Sequence, residues 1–179
     1  SRTALRAAYG DFRAGRPARE PAALAMSFSA LDPTIAPPGR HNVSIWGQWH
    51  PYQPAGESWS SIGRREADKL IAAVERSAPG FAGTIEHEHV QTPADLEREL
   101  ALPHGNVMHV EMSLASMFFH RPLPELARQR MPGLAGLYLT GASMHPGGGV
   151  FGASGRTAAR LVLADRRPAR RALARAVRR

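Results

Sequence analysis

The residues whose types and spacing can do chemistry are concentrated in one stretch, Gly136–Leu163. A short β-favouring run, Leu137–Thr140, ends on Gly141. Ala142, Ser143, Met144, His145 and Pro146 follow, then Gly147, Gly148 and Gly149, then Val150, Phe151 and Gly152. From Ala153 to Ala164 the composition is that of a helix, with Ala158, Ala159, Leu161, Val162 and Leu163 available for packing. Glycines let backbone approach a ligand with no Cβ in the way, and they accept positive φ. A helix start beyond them offers unpaired N–H groups and the positive end of the helix dipole. Such a site suits a phosphate, or the pole of a cofactor ring that gains negative charge on reduction. The plain alternative is a glycine-rich surface loop with no ligand.

Residues Gly147–Gly152 match G-x-G-x-x-G, but the context departs from a dinucleotide fingerprint. That fingerprint puts its first glycine at the turn leaving the strand, whereas Gly147 lies six residues after Gly141. It also calls for a second strand with an acidic residue ~20 positions on. Here arginines follow instead. The loop is therefore not read as an adenosine-binding turn.

Other candidates are weaker. His87, Glu88 and His89 form a His/carboxylate cluster; on a strand the two histidines share a face, and a third ligand would have to come from His104, His109 or His120. No zinc spacing such as H-E-x-x-H is present, so no metal site is assigned. His145, fixed beside the loop by Pro146, is placed to donate to a cofactor or only to brace the loop. Ser154 reads as a helix cap or a cofactor contact. Trp46, Trp49, Tyr52 and Trp59 suit either an apolar cavity or simple core. No catalytic acid–base set stands out, and the catalytic residues stay unassigned.

The elements that must position these groups are legible in part. Leu5, Tyr9 and Phe12 mark a helix over Ser1–Ala14, and Gly15–Pro21 reads as loop. Ala23–Leu31 reads as a buried strand and Asn42–Trp49 as an alternating one. Ser60 or Ser61 is expected to cap a helix carrying Ile62, Leu70, Ile71 and Val74, ended by Pro79-Gly80. Thr84–Val90 and Asn106–Met112 are expected strands. Thr92, Pro93 and Asp95 predict a helix over Pro93–Leu100. This mixed order favours an α/β or mixed α+β fold.

The chain has 179 residues, a net charge of +8 and no cysteine. A disulfide framework, a thiolate metal site and a cysteine nucleophile are thereby excluded. Seven arginines and no acid lie in Arg166–Arg179, so the remaining body is near neutral. Basic charge belongs to a tail rather than a domain face, which argues against nucleic-acid binding. The tail reads as a solvated terminus, with peripheral contact to anionic lipid as its other use. Apolar runs fall short of the ~18 residues of a membrane span, and a cytoplasmic location is expected.

At this point the string GLYLTGASMHPGGGVFGASGRTAARLVL resembles the C-terminal FAD-binding segment of the phytoene-dehydrogenase-like flavoprotein oxidoreductases. That group includes carotenoid desaturases, retinol saturase and the pyridine nucleotide-disulfide oxidoreductase domain-containing proteins. Leu31-Asp32-Pro33-Thr34-Ile35-Ala36-Pro37 with Gly39-Arg40-His41, Gly105-Asn106-Val107-Met108-His109 and Arg121-Pro122 fit the same group, from about Leu24 to Asp165. The resemblance implies the C-terminal part of a two-domain flavoprotein fold. Residues 1–130 would be part of a substrate-binding or cap region, 131–165 an FAD-binding segment, and 166–179 a basic tail. It implies cofactor contacts at Gly141, Ala142, Ser143, His145, Gly149, Val150, Phe151, Gly152 and Ser154. Many relatives carry aspartate where Ala142 stands, so that contact would fall to backbone N–H groups or Ser143.

The resemblance further implies hydride transfer between FAD and an apolar, isoprenoid- or lipid-like substrate. The N-terminal half that holds the rest of FAD is not among these residues, and the start at Ser1 reads as a cut. The alternative is a truncated chain without activity that serves as a binding or interaction module.

Overall fold

The computed structural model describes the backbone of residues 1–176 and the side chains of residues 1–166. Its Cα atoms form two compact units, Ser1–Gly105 and the chain from Asn106 onward.

In the first unit, α1 (Arg2–Arg13) starts where the Ser1 hydroxyl accepts a hydrogen bond from the Ala4 N–H at 3.3 Å. It buries Ala8 and Asp11. Asp11 accepts from the Arg19 backbone and guanidinium and from Arg16, which together hold its carboxyl below the usual range. Strands β1 (Ala23–Met26) and β2 (Ser44–Gly47) pair antiparallel, with Leu24 opposite Trp46 and Ala25 opposite Ile45. Both Leu24 and Trp46 are exposed, so the expected buried strand over Ala23–Leu31 is corrected to four residues on a two-stranded ribbon. The chain leaves it in a 3-10 turn at Phe28–Ala30, because Ser29 turns inward and its hydroxyl takes the Asn42 N–H at 2.9 Å.

Helix α2 (Trp59–Glu75) is capped by Ser58, not by Ser60 or Ser61; Ser61 supplies the reciprocal half of a capping box. It buries Trp59, Ile62, Gly63 and Glu66. Glu66 is satisfied there by Lys69 and Arg65, each at 2.8 Å. Helix α3 (Pro93–Leu100) has the boundaries, the Thr92 cap and the Pro93 first position that the sequence predicts. Thr84–Val90 is not a strand: a 3-10 turn covers Ala82–Thr84 and no strand follows it. Glu86 and Glu88 turn out to Arg40 and Arg64, so the polar alternation marks ion pairs and not a ladder.

The second unit has little regular structure before α4 (Ala153–Ala176). Asn106–Met112 is turns rather than a strand. Leu137–Thr140 contributes a single antiparallel bridge, Arg130 to Tyr138, flanked by the Met131 N–H to Leu137 carbonyl bond at 3.1 Å and the Leu139 N–H to Gln129 carbonyl bond at 2.9 Å. Helix α4 buries Ala158, half-buries Leu161 and Val162, and leaves Ala159 and Leu163 exposed. It runs past Ala164 into the arginine tail as backbone; tail side chains beyond Arg166 lie outside the described residues.

Candidate functional site around the glycine loop

Ser154 sits one residue into α4 and is 6% exposed. Its hydroxyl accepts the Gly141 N–H at 3.2 Å and a Gln129 side-chain N–H at 2.9 Å, and shares a hydrogen bond with the Thr140 hydroxyl at 3.2 Å. The same Gln129 amide nitrogen donates to the His145 carbonyl at 3.0 Å. One buried hydroxyl and one buried amide thus tie the strand end, the loop and the helix start together. The hydroxyl is directed to the loop and not to a helix cap.

Within the loop, Met144 N–H donates to the Gly141 carbonyl at 3.1 Å, and Gly147 N–H to the Met144 carbonyl at 2.7 Å. Two consecutive turns result, and Met144 and Gly147 are buried beneath them. Gly147 holds a φ of 110°, where a side chain would be strained, and a Cβ there would lie in ordinary contact with the Arg121 Nε and the Met112 side chain. At Gly149, with a φ of 143°, a Cβ would strike the Phe151 ring. Val150 is fully exposed at a φ of 58°, a conformation costly for a β-branched residue.

Of the residues singled out from sequence, the structure brings Gly141, Ala142, His145 and Ser154 into this knot. Gly149, Val150, Phe151 and Gly152 form its exposed outer edge. Backbone N–H groups from Gly148 to Gly152 meet no acceptor among the described residues, and neither does the Ser143 N–H. The N-terminus of α4 that follows adds the positive end of a helix dipole.

Two central residues carry no role in the sequence reading. Arg121, 1% exposed, donates to the carbonyls of Val110, Glu111, Ser116, Met108 and Ala142. Gln129 is also 1% exposed. Arg121-Pro122 enters the sequence reading only through the family resemblance, and Gln129 lies between Arg128 and Arg130, where nothing local signals burial. Three buried side-chain polar atoms lack a partner among the described residues: Arg121 Nε, Gln129 Oε1 and His145 Nδ1. All three belong to this network.

The other candidates do not assemble. Trp59 is buried and its indole donates to the Pro51 and Tyr52 carbonyls, as a core residue does. Trp46 is exposed, and Trp49 packs edge-on against Tyr9. Tyr52 donates to Glu97 and stacks on His104 at 4.8 Å. His87 and His89 are exposed, and among the described residues no three His, Asp or Glu groups are grouped to hold a metal ion. No helix among them is long and apolar enough to cross a membrane.

No family model matches the chain. Individual proteins do. Over 163 residues, 90% of the chain, it is 44% identical to pyridine nucleotide-disulfide oxidoreductase domain-containing protein 2 of Mus musculus, covering 28% of that protein. It is 31% identical over 137 residues to the phytoene desaturase (lycopene-forming) of Paracoccus sp., covering 75% of the chain and 26% of the relative. Against phytoene dehydrogenase of Streptomyces griseus the identity is 30% over 141 residues, 77% of the chain and 27% of the relative. The chain spans less than a third of the length of these curated relatives. On these identities the chain belongs, as a portion of a member's length, to the phytoene-dehydrogenase-like family.

Proposed function

We propose that this chain is the flavin-facing portion of an FAD-dependent oxidoreductase that dehydrogenates or saturates an apolar, isoprenoid- or lipid-like substrate. The observation that carries this reading is the Ser154 knot, which holds an otherwise irregular loop open at a helix start. The relatives' names support the class of reaction. The residues present fit such a group: a row of free N–H donors, a positive helix end, buried polar atoms awaiting partners, and the exposed Phe151 ring as an apolar edge. Gly141, Ala142, Ser143, His145, Gly149, Val150, Phe151, Gly152 and Ser154 are the proposed contacts.

FAD supplies the hydride-transfer chemistry, and protein groups supply orientation and polarity. Gly141 and Ser154 hold the strand end against the helix start. Gly148–Gly152 present N–H groups where negative charge must be stabilised. Where many relatives would carry aspartate, Ala142 leaves that contact to backbone N–H groups or Ser143.

The rest of the cofactor site lies in a half that the longer relatives carry. The chain alone is expected to bind FAD weakly or not at all, and to gain binding when that half is supplied in cis or in trans. Quenching of flavin fluorescence reads both cases. Stoichiometric yellow protein from the chain alone contradicts the need for a second half; absence of binding in every arrangement contradicts the flavin reading. A second reading, an inactive interaction module, is favoured by the exposure of Leu114, Phe118 and Phe119 in the second unit. Turnover by the completed protein would exclude it.

A further inference from the structure

Between the 3-10 turn at Ala82–Thr84 and α3, the chain from 85 to 92 makes no helix, strand, turn or bend. A chain that runs on without bending alternates its side chains between two sides. Two carboxylates fix which side faces the body of the first unit. Glu86 accepts from the Arg40 guanidinium at 2.8 Å, and Glu88 accepts from Arg64, a residue of α2 that also holds Asp68. His87 and His89 therefore stand together on the other side. Both are exposed, and neither imidazole makes a hydrogen bond with the described residues.

Along an extended chain, side chains on one side are ~6.6 Å apart at their bases. Two imidazoles at that spacing can close on one ion, each nitrogen about 2 Å from it. The arginines already occupy the neighbouring carboxylates, so the ligands on offer are nitrogens. That choice suits Cu²⁺, Ni²⁺ or Zn²⁺ and not Ca²⁺ or Mg²⁺. Two guanidiniums here face three carboxylates, Glu86, Glu88 and Asp68, and the net negative charge favours a cation. No third His, Asp or Glu is grouped with the pair among the described residues, which leaves the other coordination positions to water.

We propose that His87 and His89 form a two-imidazole chelate for a divalent transition-metal ion. The site lies in the first unit and does not depend on the flavin reading. Titrating Cu²⁺ into the ¹⁵N-labelled chain tests it. Paramagnetic broadening is expected first at the amides of His87, Glu88 and His89. His87→Ala and His89→Ala are each expected to weaken Cu²⁺ about tenfold, whereas His120→Ala, at another exposed histidine, changes it less than about twofold. Exchanging neighbours, His89→Val with Val90→His, keeps the number of histidines but puts the two imidazoles on opposite sides. That exchange is expected to weaken Cu²⁺ as much as the loss of one histidine. These positions are all exposed, so the far-ultraviolet circular dichroism should stay unchanged. Broadening that begins elsewhere, or an exchanged chain that binds as tightly as the original, overturns the proposal.

Discussion

At Ser154 one buried hydroxyl satisfies donors that come from positions 13 and 25 residues away. Removing it takes the acceptor from the Gly141 N–H and from one of the two bonds of the buried Gln129 amide nitrogen. Ser154→Ala is expected to cost about 2 kcal/mol of stability, read from the urea midpoint, because the desolvation of stranded donors is not returned. Ser143→Ala provides the comparison: its side chain makes no hydrogen bond with the described residues, so a change within about 0.5 kcal/mol is expected. Equal effects at the two positions would mean that the knot does not hold the loop.

Among the elements, α3 is the one that local chemistry specifies most completely. Thr92 accepts the Asp95 N–H at 3.2 Å, and Asp95 accepts the Thr92 N–H at 2.9 Å. Thr92→Ala is expected to cost about 1 kcal/mol, measured by thermal or urea unfolding. The Thr92 hydroxyl and N–H, helped by Arg98, lower the Asp95 pKa from 3.8 to about 2. A carboxyl depressed in the folded state stabilises fully above its unfolded value and loses that contribution as pH falls through its folded value. The contribution of Asp95 is therefore complete above about 3.8 and disappears below about 2. Asp95→Asn should flatten the acid dependence of helical circular dichroism across that window; an unchanged profile would assign the dependence elsewhere. Helix α4 is tied differently, by long-range contacts: Arg130 meets Asp165 through two bonds of 2.9 Å, and the Tyr138 hydroxyl adds a third at 2.8 Å.

For the whole molecule, the net charge of +8 resides largely in Arg166–Arg179. The Asp165 contacts secure α4 immediately before that segment begins. Deleting Arg166–Arg179 is expected to leave the unfolding midpoint unchanged while reducing cosedimentation with anionic vesicles. A stability loss as large as that of a core substitution would show that the tail is part of the fold. Among the described residues the second unit buries few apolar side chains, Met144 and Ala158, while Leu114 and Phe119 stand 86% and 84% exposed. Packing of that kind suits a segment that works beside more protein, in keeping with relatives more than three times its length.

Sequence by itself determined the helices and the strand end, glycine run and helix start on which the proposed site rests. Caps, a proline at a first helical position, apolar periodicity and a run of glycines act through neighbours within a few residues, so α1, α3 and the start of α4 are legible without a fold. The capping serine of α2 was misplaced by two or three positions because four hydroxyl-bearing or aromatic residues crowd that start. Strands depend on a partner, and Thr84–Val90 and Asn106–Met112 find none despite suitable composition. Only the tertiary structure decided that Arg121, beside the exposed Phe118 and Phe119, and Gln129, between two arginines, lie at the centre of the loop network. Their partners stand 16 to 25 residues away for Gln129 and as many as 21 for Arg121, distances at which local pattern carries no signal.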